Sequence, residues 1–448
     1  MKPIIKILLP FLGVMLSIFL FSYGISLPIE NRIRGDAFQY LAIAREYSSF
    51  WDAFFHVGIR ANGLPLFEFF FRQSDLANWA LCITIAMFVL HIIASFCLCR
   101  VAVKRGWIPS HGIWSGLLFF LLVAYPPAVL HTTTPLTDTF GSDILIFAIC
   151  FLTTGRWVQT ILGGMLLAYA EIVRPAYGLA IMSLLFSVFV ISCWQKQHRR
   201  LSVAAIAVTL FCLAPTWISC YFKYGSFSVQ DPATFLPVRH AQMGLKGTRI
   251  LWFHPELAHG DEFPVLHDRF LQEQFYVRCK LNAIFGIGAS SLTGCLLATP
   301  MKSTLYFAKK QIGFFDSFRL QPYTELLTPD IYRWFARIWS AFALFGELIL
   351  IITGLLELFG GIKTIDRWKT SVWIFSLTLI LTHSLLHVEE RFSLAWAPYC
   401  WIALVYLLSQ KGGKDPRARV AWMILGFMTI FIYFSQILSW DHLLFRLT

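Results

Sequence analysis

The chain is predicted to be an all-α polytopic membrane protein, with about eleven transmembrane helices and two large loops on one face that carry interfacial helices. Three observations predict this fold. Of 448 residues, 57% are hydrophobic and only 14% charged, with a mean hydropathy of +0.64, whereas a soluble globular domain carries about 25% charged residues. Apolar runs near the roughly 20 residues that cross a hydrocarbon core recur along the chain. Lys and Arg collect at alternate ends of those runs, the bias that marks the cytoplasmic side.

The runs lie at about 5–26, 77–98, 112–130, 137–154, 158–173, 176–194, 202–221, 338–360, 370–387, 392–409 and 420–438. The first is read as a retained helix, because no small-residue cleavage site follows it. On one face fall Lys2, Lys6, Arg100, Lys104, Arg105, Arg156, Lys196, Arg199, Arg200, Lys363, Arg367, Lys369, Lys411, Lys414, Arg417 and Arg419. These 16 basic residues stand against only Asp366 and Asp415, an excess of 14 that exceeds the whole net charge of +12. The basic balance therefore reports topology, and no nucleic-acid partner is invoked. The N-terminus is expected inside and the C-terminus outside.

This topology divides the chain into an N-terminal transmembrane module, 1–221, a large outer-face region, 222–337, and C-terminal helices, 338–448. The first outer loop, 28–75, holds five basic and six acidic residues, and its Phe50, Trp51, Phe54 and Phe55 suit a helix lying in the interface. The second has a Pro-punctuated stretch at 231–264 and a half-apolar stretch at 281–315, broken by Pro300 and followed by Lys302. The latter is read as interfacial, since the basic clusters at 363–369 and 411–419 would otherwise fall outside. Eight of the ten Cys lie in or beside apolar helices; only Cys279 and Cys295 share an outer loop, where one disulfide is open. No Cys/His cluster, Gly-rich phosphate loop or sequence repeat is evident.

Polar residues gather on the outer face in five places. Asp36 opens an amphipathic helix directly after the first apolar run, where a carboxylate beside lipid is costly and commonly functional; as an alternative it caps that helix. Arg60 lies in the Gly- and Pro-bounded turn from Gly58 to Pro65 and offers a fork suited to phosphate, or pairs with Glu68 or Asp52. Between the third and fourth helices runs Thr132 to Asp143, in which a cap explains Asp138 but not the deeper Asp143. Glu171 and Arg174 lie three apart at a break marked by Pro175, with an internal ion pair as the plain alternative. The fifth place is His387 to Phe392, which includes Glu389, Glu390 and Arg391.

In order and spacing these motifs resemble the integral-membrane glycosyltransferases of the GT-C class, especially the branch with protein O-mannosyltransferases and lipid A aminoarabinose transferases. Gly35 to Ala44, with Tyr40 four residues after Asp36, resembles the acidic motif that opens their first outer loop, although the usual acidic pair is a single Asp here. Arg60 to Pro65 resembles their Arg followed by an aromatic turn, with Leu64 where the aromatic stands. Thr134 to Asp143, Arg174-Pro175 and Glu390-Arg391-Phe392 resemble three later motifs. Residues 222–337 match only as a large outer loop.

The resemblance implies a polyprenyl-phosphate sugar donor and a glycan, lipid or protein acceptor, used at the outer side of a membrane. The chain contains no Asn-x-Ser/Thr sequon, which favours the bacterial inner membrane. Asp36 would be the general base, with Asp138 a second catalytic carboxylate that binds sugar hydroxyls or fixes an Arg. Arg60, Arg174 and Arg391 would bind phosphate, and Tyr40 and Glu390 would complete the substrate site. Asp36 with Asp138 are too few ligands to define a metal, so a divalent cation stays open. Two other classes compete. A flippase or transporter would use intramembrane acids such as Glu171, Glu347 and Glu357, and a polymerase for lipid-linked saccharides would use an Arg- and His-rich outer loop.

Overall fold

The computed structural model describes residues 2–33, 35–58, 60–110, 113–196, 198–231, 311–312, 315, 330–359, 366–384, 390–409 and 416–445. Within these, the side chains of 2–6, 31, 330–333, 357–359, 390–391, 416–419, 436 and 439–445 are not described. All regular elements among the described residues are helical, as expected.

Helix α1 (Lys2–Ser26) is followed by four short helices in the predicted first loop, α2 (Ile29–Arg32), α3 (Asp36–Glu46), α4 (Phe50–Phe55) and α5 (Gly63–Phe69). Then come α6 (Leu76–Lys104), α7 (Ile113–Val123), α8 (Pro126–His131), α9 (Thr137–Leu152), α10 (Trp157–Val173), α11 (Gly178–Trp194) and α12 (Arg199–Tyr224). The C-terminal part contributes α13 (Asp330–Phe359), α14 (Arg367–Ser384), α15 (Ala397–Ser409) and α16 (Pro416–Phe445).

Each predicted apolar run contains helix, with one correction. The run at 112–130 is two helices, because Pro126 disfavours helical backbone at Tyr125, which is extended (φ −62, ψ 109). The new helix then starts on Pro126, where a missing N–H costs nothing. By length and composition, five helical segments among the described residues could cross a membrane: 7–26, 76–104, 175–194, 199–224 and 334–356. Four shorter apolar helices of 10–17 residues accompany them. The chain is an integral multi-pass membrane protein.

Helix α9 is the centre of the bundle, lying between α6 and α10. Every residue in it except Phe147 and Phe151 is buried, the polar Asp138, Thr139, Ser142 and Asp143 included. Outward from it, α10 packs on α12, α1 on α7, α11 on α14, and α13 on α15. The loop helices α3–α5 cover the end of the bundle at which α9 begins and α10 ends: α5 docks on α10, and α4 touches α12. Of the half-apolar stretch 281–315 only Gln311, Ile312 and Phe315 are described. Ile312 and Phe315 are buried, and Gln311 donates to Ser384 Oγ at 2.6 Å. The rest of that stretch, the 231–264 segment beyond Asp231, and Cys279 and Cys295 lie outside the described residues.

Close helix approaches are made at glycines. A Cβ at Gly346 of α13 would collide with the backbone carbonyl of Cys400 in α15, so neither helix can yield without moving its axis. Gly346→Ala is expected to cost about 1–3 kcal/mol, as overpacked core positions do, and to lower Tm in detergent. An unchanged Tm would mean that α13 and α15 do not approach this closely.

Candidate functional site

Gly35 has φ 53 and ψ −121, a conformation that side chains resist and glycine accepts. The chain therefore turns sharply into α3, and Asp36 becomes its first helical residue, where the helix dipole favours a carboxylate. Ala37, Tyr40, Leu41 and Ala44 form the buried stripe of α3, at the spacing of one helix face. Asp36 thus does not occupy the cap position, and its side chain pairs with Arg60. Arg60 Nε also donates to Gln39 Oε1 at 2.8 Å, and the guanidinium lies 5.9 Å from the Tyr40 ring centroid.

The turn carrying Arg60 is locked by Asn62, which accepts from Tyr47 OH and donates to the Ala53 carbonyl. Beyond it, Gly63 lies so close to α10 that a Cβ there would sit 2.5 Å from Val173 N. Tyr169 OH donates to Gly63 O at 2.8 Å, and Trp79 Nε1 donates to Glu68 O at 2.9 Å. These contacts hold the loop on the bundle from two sides.

A second pair lies deeper. Arg174 ends α10 in extended backbone (φ −144, ψ 98), as expected of a residue before Pro. Its Nη1 donates to Asp138 Oδ1 and, at 3.4 Å, to Thr137 Oγ1. Asp138 is the second residue of α9, after the capping position Leu136, and 1% exposed. The Arg174 guanidinium lies 4.8 Å from the Phe392 ring and 5.7 Å from that of Tyr177. Tyr40 lies between the two pairs: its buried hydroxyl feels the charges of Asp36, Arg60 and Asp138, and burial followed by Asp36 raises its pKa.

The structure therefore brings together Asp36, Tyr40, Arg60, Asp138 and Arg174, from loops far apart in sequence. Arg60 pairs with neither Glu68 nor Asp52, and Arg174 turns to Asp138, leaving Glu171 packed beside Gly178. The side chains of Glu390 and Arg391 lie outside the described residues. Their backbone starts a 3₁₀ segment, Glu390–Ala395, tied to α9 where Ser142 Oγ donates to Leu394 O at 2.9 Å. Asp143, noted in sequence as deeper than a cap requires, meets His91 Nδ1 at 3.1 Å. His91 sits mid-helix in an apolar run and gave no signal of its own. Among the described residues, no group of three or more His, Cys, Asp or Glu side chains could hold a metal ion.

No protein-family model and no curated protein matches the chain. Solved structures similar to it include the archaeal oligosaccharyltransferase AglB from Archaeoglobus fulgidus, in complex with an inhibitory peptide and a dolichol-phosphate (14% identity, 95% of this chain and 56% of that chain, TM-score 0.47). The apo form of the Archaeoglobus fulgidus oligosaccharyltransferase gives 13% identity, 95% and 54% coverage and a TM-score of 0.48. ArnT from Cupriavidus metallidurans, bound to undecaprenyl phosphate, gives 15% identity, 88% and 77% coverage and a TM-score of 0.36. The chain spans about half the length of the oligosaccharyltransferase.

Glu68 is a site feature that sequence reading treated only as a partner for Arg60. It is fully buried in α5, neither carboxyl oxygen has a hydrogen-bond partner among the described residues, and burial holds its pKa well above the ordinary carboxyl value. Because the folded-state pKa is raised, the neutral acid favours folding at low pH. That contribution is lost as pH rises above the ordinary carboxyl range towards the raised value. Glu68→Gln should therefore raise Tm at pH 8, by about 2 °C for each kcal/mol relieved, with the gain shrinking towards pH 4. A gain independent of pH would mean that Glu68 is not a buried titrating acid.

Proposed function

We propose that the chain is a glycosyltransferase that moves a sugar, with inversion, from a polyprenyl-phosphate-linked donor to an acceptor on the outer face of the membrane. The observation that carries this reading is the set of two carboxylate–guanidinium pairs, Asp36 with Arg60 and Asp138 with Arg174, with the buried Tyr40 between them at one end of the bundle. A one-sided constellation of this kind suits a transferase better than a transporter, which needs its polar groups along a path through the membrane. We assign that end of the bundle to the periplasmic or extracytoplasmic side of a bacterial inner membrane, with the N-terminus cytoplasmic and the C-terminus outside. The division into 1–221, 222–337 and 338–448 belongs to the same proposal.

The acceptor hydroxyl attacks the anomeric carbon from the face opposite the lipid phosphate. As the new C–O bond forms, the bond to the phosphate oxygen breaks with its electron pair, and the hydroxyl proton passes to Asp36. Arg60 and Arg174 meet the charge that grows on the departing phosphate, the kind of fixed electrostatic stabilisation that dominates many catalytic sites. In the ligand-free pair, Arg60 neutralises Asp36. A donor phosphate competing for that guanidinium leaves the carboxylate free to accept a proton at the moment the donor is bound. Asp138 holds Arg174 or binds sugar hydroxyls, Tyr40 positions the donor between the pairs, and Glu390 and Arg391 complete the substrate site.

The test is transfer from a panel of radiolabelled polyprenyl-phosphate sugars by purified protein in lipid. Asp36→Asn should lower kcat by about 10²- to 10⁴-fold, the usual contribution of a general base, with KM little changed. Arg174→Ala should lower kcat/KM while losing some stability. Transfer by Asp36→Asn at the wild-type rate would sink the assignment of the base. Movement of sugar lipid between leaflets without any transfer would replace the transferase reading with a flippase.

A further inference from the structure

The far end of α3 carries a second feature that the transfer chemistry does not use. Arg45 sits nine residues beyond Asp36, about 13 Å along the helix axis. Together with Ser48, Phe69, Arg72, Gln73 and Ser74 it lines an open cleft of about 450 Å³, within the size range of small-molecule sites. Among the described residues, two guanidinium groups line this cleft and no carboxylate does. Of the nearby acids, Asp52 accepts from N and Oγ of the lining Ser48 at 3.0 and 3.2 Å, and Asp75 caps α6 through Asn78 N at 3.0 Å. Arg72 is anchored by one N–H, donated to Tyr47 O at 2.6 Å, which aims its fork without consuming it. Arg45 makes no hydrogen bond among the described residues.

Beside the cleft stands an aromatic ledge. Phe50, Trp51, Phe54 and Phe55 of α4 pack on one another with ring centroids 5.2–6.3 Å apart, and Phe50 continues onto Phe70 at 5.9 Å. Trp51 and Phe70 are each 65% exposed, far more than packing within the protein requires. Phe69 belongs to both features, lining the cleft and meeting Phe70 at 6.2 Å. The ledge is level with the end of α12, which touches α4 and presents exposed Tyr221 and Phe222. Exposed aromatic rings at the end of a membrane-length helix mark the level of the lipid headgroups.

We propose that the Arg45–Arg72 cleft binds the phosphate headgroup of an anionic membrane lipid whose acyl chains lie against the α4 ledge. The two parts match the two halves of such a molecule. Paired guanidinium forks hold phosphate oxygens in bidentate geometry, and an amphipathic helix seats its aromatic face at the boundary between headgroups and acyl chains. The assignment stands whether or not the chain transfers sugars.

Native mass spectrometry of the full-length protein, released from mixed micelles of phosphatidylglycerol and phosphatidylcholine, tests it directly. The wild type should retain at least one tightly held phosphatidylglycerol that Arg45→Gln/Arg72→Gln loses, with affinity for that equivalent falling about tenfold. Arg45→Gln alone breaks no internal bond, so it should show a smaller loss of the same kind even if the double variant folds poorly. Trp51→Ala/Phe55→Ala should weaken phosphatidylglycerol without changing its preference over phosphatidylcholine. Unchanged lipid retention in folded Arg45→Gln and Arg72→Gln variants would overturn the proposal. So would displacement of the bound lipid by millimolar inorganic phosphate, which would make the cleft a site for free anions.

Discussion

The buried ion pair between Arg174 and Asp138 is the constraint around which this end of the bundle is arranged. It ties the residue that caps the end of α10 to the first turn of α9, the helix at the centre of the packing. Asp138 is almost wholly out of solvent, and Arg174 is shielded by the Phe392 and Tyr177 rings. Removing either partner strands a charge in a poorly hydrated place, a loss of about 3–5 kcal/mol in comparable buried pairs. The backbone that delivers the guanidinium follows from one dipeptide: Pro175 ends α10 and forces Arg174 out of helical geometry, so its side chain leaves the helix towards α9.

The second pair obeys different physics. Asp36 and Arg60 retain 21% and 33% of their side-chain exposure, so water competes for both charges, and such pairs contribute little to stability. A fixed pair beside an exchangeable one is a useful arrangement for a site that must admit an anion. In the proposed mechanism the deep pair holds the geometry, while the shallow pair is the one that trades its partner for the donor phosphate. Tyr40 stands between them, because its ring lies beside Arg60 and its buried hydroxyl feels both Asp36 and Asp138.

Much of this was legible in the sequence, for identifiable reasons. Membrane helices are written in composition and length, so the apolar runs became helices even where their ends shifted by several residues. The break at Tyr125 was also written there, in Pro126-Pro127, but a hydropathy reading averages over it. Asp36, Arg60, Asp138 and Arg174 stood out because charge beside lipid is expensive and each lies at a Gly- or Pro-marked break. Their pairing was not legible: local spacing offered Arg174 a partner in Glu171 and Arg60 one in Glu68 or Asp52, and the tertiary fold gives both arginines other partners. Glu68 faces inward because α5 is pinned by Tyr169 and Trp79, contacts made by residues more than ten positions away. His91 was silent for the same reason, since an isolated imidazole in a long apolar run becomes informative only when Asp143 is seen beside it.

Helix α3 gives this surface its organisation. Only its Ala37, Tyr40, Leu41 and Ala44 stripe is buried, while Phe38 on the other side is 57% exposed, so the helix lies along the end of the bundle and offers one apolar flank outward. Its two ends then carry different electrostatics by construction. The N-terminal end favours a carboxylate through the helix dipole and holds Asp36; the C-terminal end favours a cation and holds Arg45. A rigid helix of 11 residues thus sets the separation between an acid suited to proton transfer and a cationic cleft suited to an anionic headgroup. Because helix rise and not loop conformation sets the backbone spacing of Asp36 and Arg45, about 13 Å along the axis, the acid and the cleft stay at opposite ends of one rigid element.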